Sequence, residues 1–190
     1  MGAKASPAGA WWTVLLEKAA AKLYANYEGL NGGGPGGALR TLTGMPTSDW
    51  NMNEFRDKGG DDRLWEIIMK CEKNNWPMVT ATDPWSDKFP TYLMPSHAYT
   101  VLGGKQLINA DGSEGPKLVK IRNPHGNSRY NNRGPWRRDS ENWTDSYLEQ
   151  TGYTKLRGSM QGEFWFPLDR FVKDWVYLTT AHYNENFFKT

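Results

Sequence analysis

Cysteine is nearly absent: Cys71 is the only one in 190 residues. A single thiol rules out an intrachain disulfide and suits a reducing compartment, so the cytoplasm is the expected location. Histidine is scarce too. His97, His125 and His182 are the three, and their spacing matches no zinc pattern. No Asp-x-Asp-x-Asp loop closed by a glutamate occurs, which excludes an EF-hand. No apolar run reaches membrane-spanning length, and no signal-peptide core is found. Net charge is only +2, from 23 basic and 21 acidic residues, which argues against a general nucleic-acid binder. Gly29 to Gly37 holds six glycines and one proline. It lacks the Gly-Lys-Ser/Thr ending of a phosphate loop and reads as an ordinary loop.

What the chain has in quantity is aromatic: ten Trp, nine Tyr and seven Phe. Its length suffices for one domain with a core built on large rings. Residues 1–9 read as a flexible tail, 10–184 as a single unit and 185–190 as a C-terminal tail. Met1-Gly2-Ala3-Lys4-Ala5-Ser6 fits the permissive N-myristoylation pattern, so membrane association is expected only if Gly2 is acylated.

Trp12, Leu15, Leu16, Ala19, Ala20, Leu23 and Tyr24 recur at helical steps, which predicts a core-facing helix over 10–24. Ala38 to Thr43 reads as a connection, and Pro46-Thr47-Ser48-Asp49 as a turn and helix cap. Leu64, Ile67, Ile68 and Cys71 predict a second helix over 61–73, stopped by Asn74-Asn75. Strands are expected over 77–82, 162–167 and 176–183, and helical turns over 146–153 and 168–175. Helices first and short strands later indicate α+β, with an antiparallel sheet flanked by helices.

The organising stretch is Ser96 to Gly126. Two β-prone runs, one opening near His97 and one closing at Asn123, are joined through Asn109 to Pro116, where Asp-Gly and Gly-Pro mark a hairpin. In an antiparallel pair those ends lie side by side. An imidazole beside a carboxamide is the base-and-orienter part of a Cys-His-Asn set; a structural histidine at a strand edge is the alternative. Cys71 falls near the C-terminal end of its helix, on the apolar stripe, where dipole and burial both disfavour a thiolate. The residues thus show a base and an orienter but no convincing nucleophile. Arg122, Arg129, Arg133, Arg137 and Arg138, interleaved with Tyr130 and Trp136, form a basic loop that is either a solvated surface or a contact surface.

Ser96-His97-Ala98-Tyr99-Thr100-Val101 resembles the calpain family's Gly-His-Ala-Tyr-Ser-Val. Arg122-Asn123-Pro124-His125-Gly126 is similar to its Arg-Asn-Pro-Trp-Gly, and Gly162-Glu163-Phe164-Trp165-Phe166 to its Gly-Glu-Phe-Trp-Met. Leu15-Leu16-Glu17-Lys18-Ala19-Ala20-Ala21-Lys22 and Leu64-Trp65-Glu66-Ile67-Ile68 resemble two family helices. The likeness runs in order over residues 11–184. It implies the second, His/Asn-bearing half of a papain-like protease core, with an antiparallel, barrel-like sheet. His97 would be the general base and Asn123 its orienter. The cysteine would come from a first half acting as partner on polypeptide substrates, so this chain alone is expected to be inactive. A non-catalytic binding or regulatory module using the arginine loop 122–138 is the alternative, and neither reading involves nucleic acid.

Three departures stand out. His125 replaces the tryptophan that shields the His-Asn pair. Ser96 replaces a glycine and is expected to narrow the cleft. The resemblance also implies a calcium site in this half, of which Glu163 is plainly retained and Asp139 is a doubtful match. Arg129 and Gln161 stand where acids are expected, so calcium binding is predicted to be weak or absent, with no other cofactor.

Overall fold

The computed structural model describes residues 3–5, 8–57, 59–83, 93–126, 134–154 and 162–184. Arg129, Tyr130, Arg133, Gln161, and Met1, Gly2 and Ser6 of the acylation motif lie outside them. So do residues 84–92, the middle of the segment leading to His97.

Six strands form one open antiparallel sheet in the order β1-β6-β2-β3-β4-β5: β1 (Thr47–Asn51), β2 (Met78–Ala81), β3 (Ala98–Ile108), β4 (Glu114–Arg122), β5 (Glu163–Pro167) and β6 (Tyr177–Ala181). Five α-helices accompany it among the described residues: α1 (Trp12–Leu23), α2 (Pro35–Thr43), α3 (Gly60–Lys73), α4 (Asp145–Thr151) and α5 (Leu168–Asp174). The architecture is the expected α+β type. The expected strands at 77–82, 162–167 and 176–183 and the turns at 146–153 and 168–175 all appear, each within a few residues.

Alternation along the strands separates two apolar layers. Val119 and Ile121 of β4, with Phe164 and Phe166 of β5, share the main core with Leu64, Ile68 and Cys71 of α3 and Phe171 and Val172 of α5. Leu118 of β4 and Trp165 of β5 point the other way. They join Leu107, Trp136, Trp143 and Tyr153 in a smaller cluster beneath α4. α3 has acids Asp61 and Asp62 in its first turn and Lys70 and Lys73 in its last, which suits the helix dipole.

Strands β3 and β4 flank the expected connection, and Gly103-Gly104 lies inside β3. A β-bulge between Val101 and Gly103 shifts the register there. Before the bulge, Tyr99 and Val101 face the main core; beyond it, Leu107 belongs to the second cluster. Glycine is required here by the φ of +145 at Gly103 and by close approach at Gly104. A Cβ on Gly103 would sit 2.4 Å from the Glu72 carboxyl carbon, and one on Gly104 would sit 2.5 Å from the Trp65 ring. Glu72 Oε2 accepts the Gly104 N–H at 2.9 Å, which ties α3 to the strand.

The N-terminal third departs most from expectation. Pro35 opens α2 at its first turn, where its missing N–H leaves no bond unmade, and Gly44 closes it in the left-handed region. The residues read as a cap form edge strand β1 instead, because Asp49 finds a partner in Thr179 of β6, whose hydroxyl it accepts at 2.5 Å. α1 forms where predicted but does not face a core. Of its residues only Ala21 is buried. Trp11, Trp12, Leu15, Leu16, Leu23 and Tyr24 are exposed. Together with α2 this helix borders an apolar groove of about 730 Å³, lined by Trp12, Leu16, Tyr24, Leu30, Leu39 and Leu42 and reaching Val79 and Ala98.

Candidate active site

His97 precedes β3 and Asn123 follows β4, so the ladder that pairs Thr100 with Arg122 brings the two side chains together. His97 Nε2 lies 2.9 Å from Asn123 Oδ1. The same oxygen accepts the backbone N–H of His125 at 3.0 Å. A backbone N–H only donates, so the shared atom must be the carbonyl oxygen of the amide. That fixes the amide orientation and requires Nε2 of His97 to donate. In the neutral ring Nδ1 then carries the lone pair, which is the state a general base needs.

Residues the sequence did not single out hold this pair. Buried Thr82 extends the β2–β3 ladder: its hydroxyl accepts the His97 N–H at 3.1 Å, and its own N–H donates to the His97 carbonyl at 3.1 Å. The Tyr99 ring abuts the imidazole edge-on, with centroids 4.7 Å apart. Its hydroxyl oxygen accepts the Met94 N–H at 2.9 Å, and burial pushes its pKa up to about 12. Asn123 is fully buried and donates its N–H to the Gly162 carbonyl at 2.9 Å. Gly162 has φ +74, and a Cβ there would lie 2.4 Å from the Asn123 carbonyl oxygen. A strand-opening glycine next to Glu163 was the available sign of this contact.

Burial holds the His97 pKa below its ordinary value. The bond to Asn123 opposes that shift, and nearby His125 adds to it. For a base with a depressed pKa, the contribution to stability is present above the ordinary imidazole value and lost as pH falls through the folded one. His125 stands over the pair, its ring 4.4 Å from that of His97 and tilted by 45°. It is exposed, and an imidazole covers less of the pair than an indole would.

Ser96 explains why a glycine suits the position before the histidine. Its φ is +49, in the left-handed region that a side chain disfavours. Ser96→Gly is expected to raise the unfolding free energy by about 1 kcal/mol, read from a urea midpoint at unchanged m-value.

Cys71 is elsewhere. It lies in the main core, 2% exposed, with burial pushing its pKa up to about 11 and Lys70 only partly offsetting this. Neither the exposure nor the thiolate fraction suits a nucleophile. Iodoacetamide is expected to leave the folded protein unlabelled and to label it once in denaturant, as read by mass spectrometry.

Glu163 is already engaged: the Lys120 ammonium lies 3.0 Å from its Oε2 and 6.0 Å from the Trp165 ring centroid. Asp139 is exposed in the loop before Trp143. Among the described residues, no group of three or more His, Cys, Asp or Glu could hold a metal ion. None of the described helices is long and apolar enough to cross a membrane.

Residues 3–182 match the family model described as calpain family cysteine protease. The chain is 34% identical to calpain clp-1 of Caenorhabditis elegans over 173 residues, which is 86% of this chain and 20% of that protein. It is 32% identical to calpain-9 of Rattus norvegicus over 169 residues, 85% of this chain and 23% of that one. Against the calpain-1 catalytic subunit of Mus musculus it is 31% identical over 176 residues, 88% of this chain and 23% of that one. The chain therefore spans less than a quarter of the length of these relatives. With the family model covering nearly all of the sequence and the histidine and asparagine held in mutual contact, the chain belongs to the calpain family of cysteine proteases.

Proposed function

We propose that this chain is the His/Asn-contributing half of a calpain-like cysteine endopeptidase, inactive by itself and completed by a Cys-bearing half. The observation that carries this is the His97–Asn123 bond, whose donor direction leaves Nδ1 of the neutral ring free to take a proton. With the partner in place, Nδ1 removes the thiol proton. The thiolate attacks the peptide carbonyl, the C–N bond breaks, and an acyl-thioester forms. The imidazolium gives its proton to the leaving amine, and water then releases the acid and restores the thiol. Asn123 takes no proton; it holds the ring and its tautomer.

The exposed apolar face of α1 and α2 supports the same reading. Among the described residues, eight of the eleven exposed large hydrophobics lie between Trp11 and Leu42. A concentration of this kind marks an interaction surface, and the groove beside it reaches Ala98, the residue after His97. We assign this face to the Cys-bearing half. The substrate would be polypeptide, and the working compartment a reducing one, where a catalytic thiolate persists. Glu163, paired with Lys120, is not assigned to calcium, and Gly2 acylation remains the condition for membrane association.

The test is to mix the chain with a calpain-type Cys-bearing half and assay peptide cleavage, with His97→Ala as control. Cleavage that needs both parts and His97 is the expected result. Binding without His97-dependent cleavage would favour the regulatory module.

A further inference from the structure

The His125 ring leans over the base at 45°, and the chemistry above makes no use of its charge. Its position is defined twice over. Its backbone N–H shares Asn123 Oδ1 with His97 Nε2, and its ring lies 4.4 Å from the His97 ring. The Asn-Pro turn that carries it is closed by the Gly126 N–H donating to the Asn123 carbonyl at 3.0 Å. Two imidazoles at this separation do not take up protons independently, because a charge on either opposes a charge on the other.

We propose that His125 is a positioning residue that sets the protonation of His97: the two adjoining rings bind protons as a coupled pair, and a charged His125 keeps His97 in its unprotonated form.

Arg122, exposed at the end of β4 beside Asn123, carries a fixed charge. Tyr99, edge-on to His97 from β3, is neutral through the physiological range. Asp83, beyond the end of β2, meets the segment through its backbone carbonyl, which accepts the Ser96 N–H at 2.9 Å. Lys120 of β4 and Glu163 of β5 neutralise each other. The depressed pKa of His97, to which His125 contributes after burial, agrees with this arrangement. In the protease proposed above, on which the functional consequence rests, the base form of His97 would persist into mildly acidic solution.

The experiment needs only this chain, so its outcome is separate from that of the mixing assay. The Cε1–H resonances of His97 and His125 are followed by NMR from acid to alkaline pH in the wild-type protein, His125→Gln and His125→Arg. In wild type, each ring's curve is expected to carry the other's inflection. Removing the charge in His125→Gln should move the His97 midpoint up, toward the ordinary imidazole value of about 6.5. Making it permanent in His125→Arg should move the midpoint down. Both variants remove the imidazole ring and differ in charge, so opposite displacements follow the charge rather than the lost ring contact. Two independent wild-type curves, or His97 midpoints that stay put or move the same way in both variants, would overturn the proposal.

Discussion

Mixed with a Cys-bearing calpain-type half, the chain carrying His97→Ala is expected to support peptide cleavage on the order of 10^4-fold more slowly than the wild-type chain. The size follows from what is removed. A positioned general base contributes directly to proton transfer. In a nucleophile–base unit, loss of the base alone also forfeits most of what the nucleophile supplies, because the two act together. The loss should fall on kcat, since His97 meets the reacting groups rather than the length of the substrate. Asn123→Ala should give a smaller loss. The ring would lose its fixed tautomer, but Thr82 and Tyr99 would still hold its backbone and edge. A steady-state assay with saturating Cys-bearing half separates the two effects.

Trp175→Ala is expected to lower the unfolding free energy by about 3–5 kcal/mol, the range for deleting a large buried ring. Trp175 is 1% exposed, and its ring meets Tyr99 at 4.7 Å, Phe171 at 5.4 Å and Phe166 at 6.1 Å. It therefore joins the end of α5 to β3 and β5. Tyr99 lies between it and His97. The cavity should loosen the imidazole as well as the core, and the His97 resonances should broaden or shift in the folded variant. Trp175→Phe is the instructive companion. The indole Nε1 is buried without a hydrogen-bond partner among the described residues, so phenylalanine leaves a smaller cavity and removes an unpaired donor. Its loss should be well below that of alanine. Urea unfolding of the two variants checks both values.

The site was legible in the sequence to a degree the N-terminal region was not, and the difference has physical causes. His97 and Asn123 stand at the ends of two apolar runs, and a hairpin forces such ends together. The α3 stripe of Leu64, Ile68 and Cys71 was equally plain, since one face of that helix meets the core. By contrast, α1 shows that helical periodicity marks an apolar face without saying what covers it; its stripe is exposed. β1 was hidden because Thr47, Ser48 and Asp49 are polar and find polar partners outside the strand: Arg40 of α2, His182, and Thr179 of β6. α2 was hidden by its glycines. Glycine inside β3 answers to features no sequence pattern shows, the φ of +145 at Gly103 and the approach of the Trp65 ring to Gly104. Thr82 could not be read as a support of the pair, because its contacts with His97 join residues distant in sequence.

The central claim is that His97 supplies the base for a thiol carried by another half. It is tested most directly on that thiol. Alkylation of the Cys-bearing half by iodoacetamide is measured at mildly acidic pH, alone, with the wild-type chain and with His97→Ala. Cys71 is buried and contributes no background in the folded chain. The wild-type chain should accelerate alkylation, because His97 takes the proton and raises the thiolate fraction, and His97→Ala should not. Equal rates with the wild-type chain and the variant, under conditions where both bind, would contradict the assignment of His97 as the base.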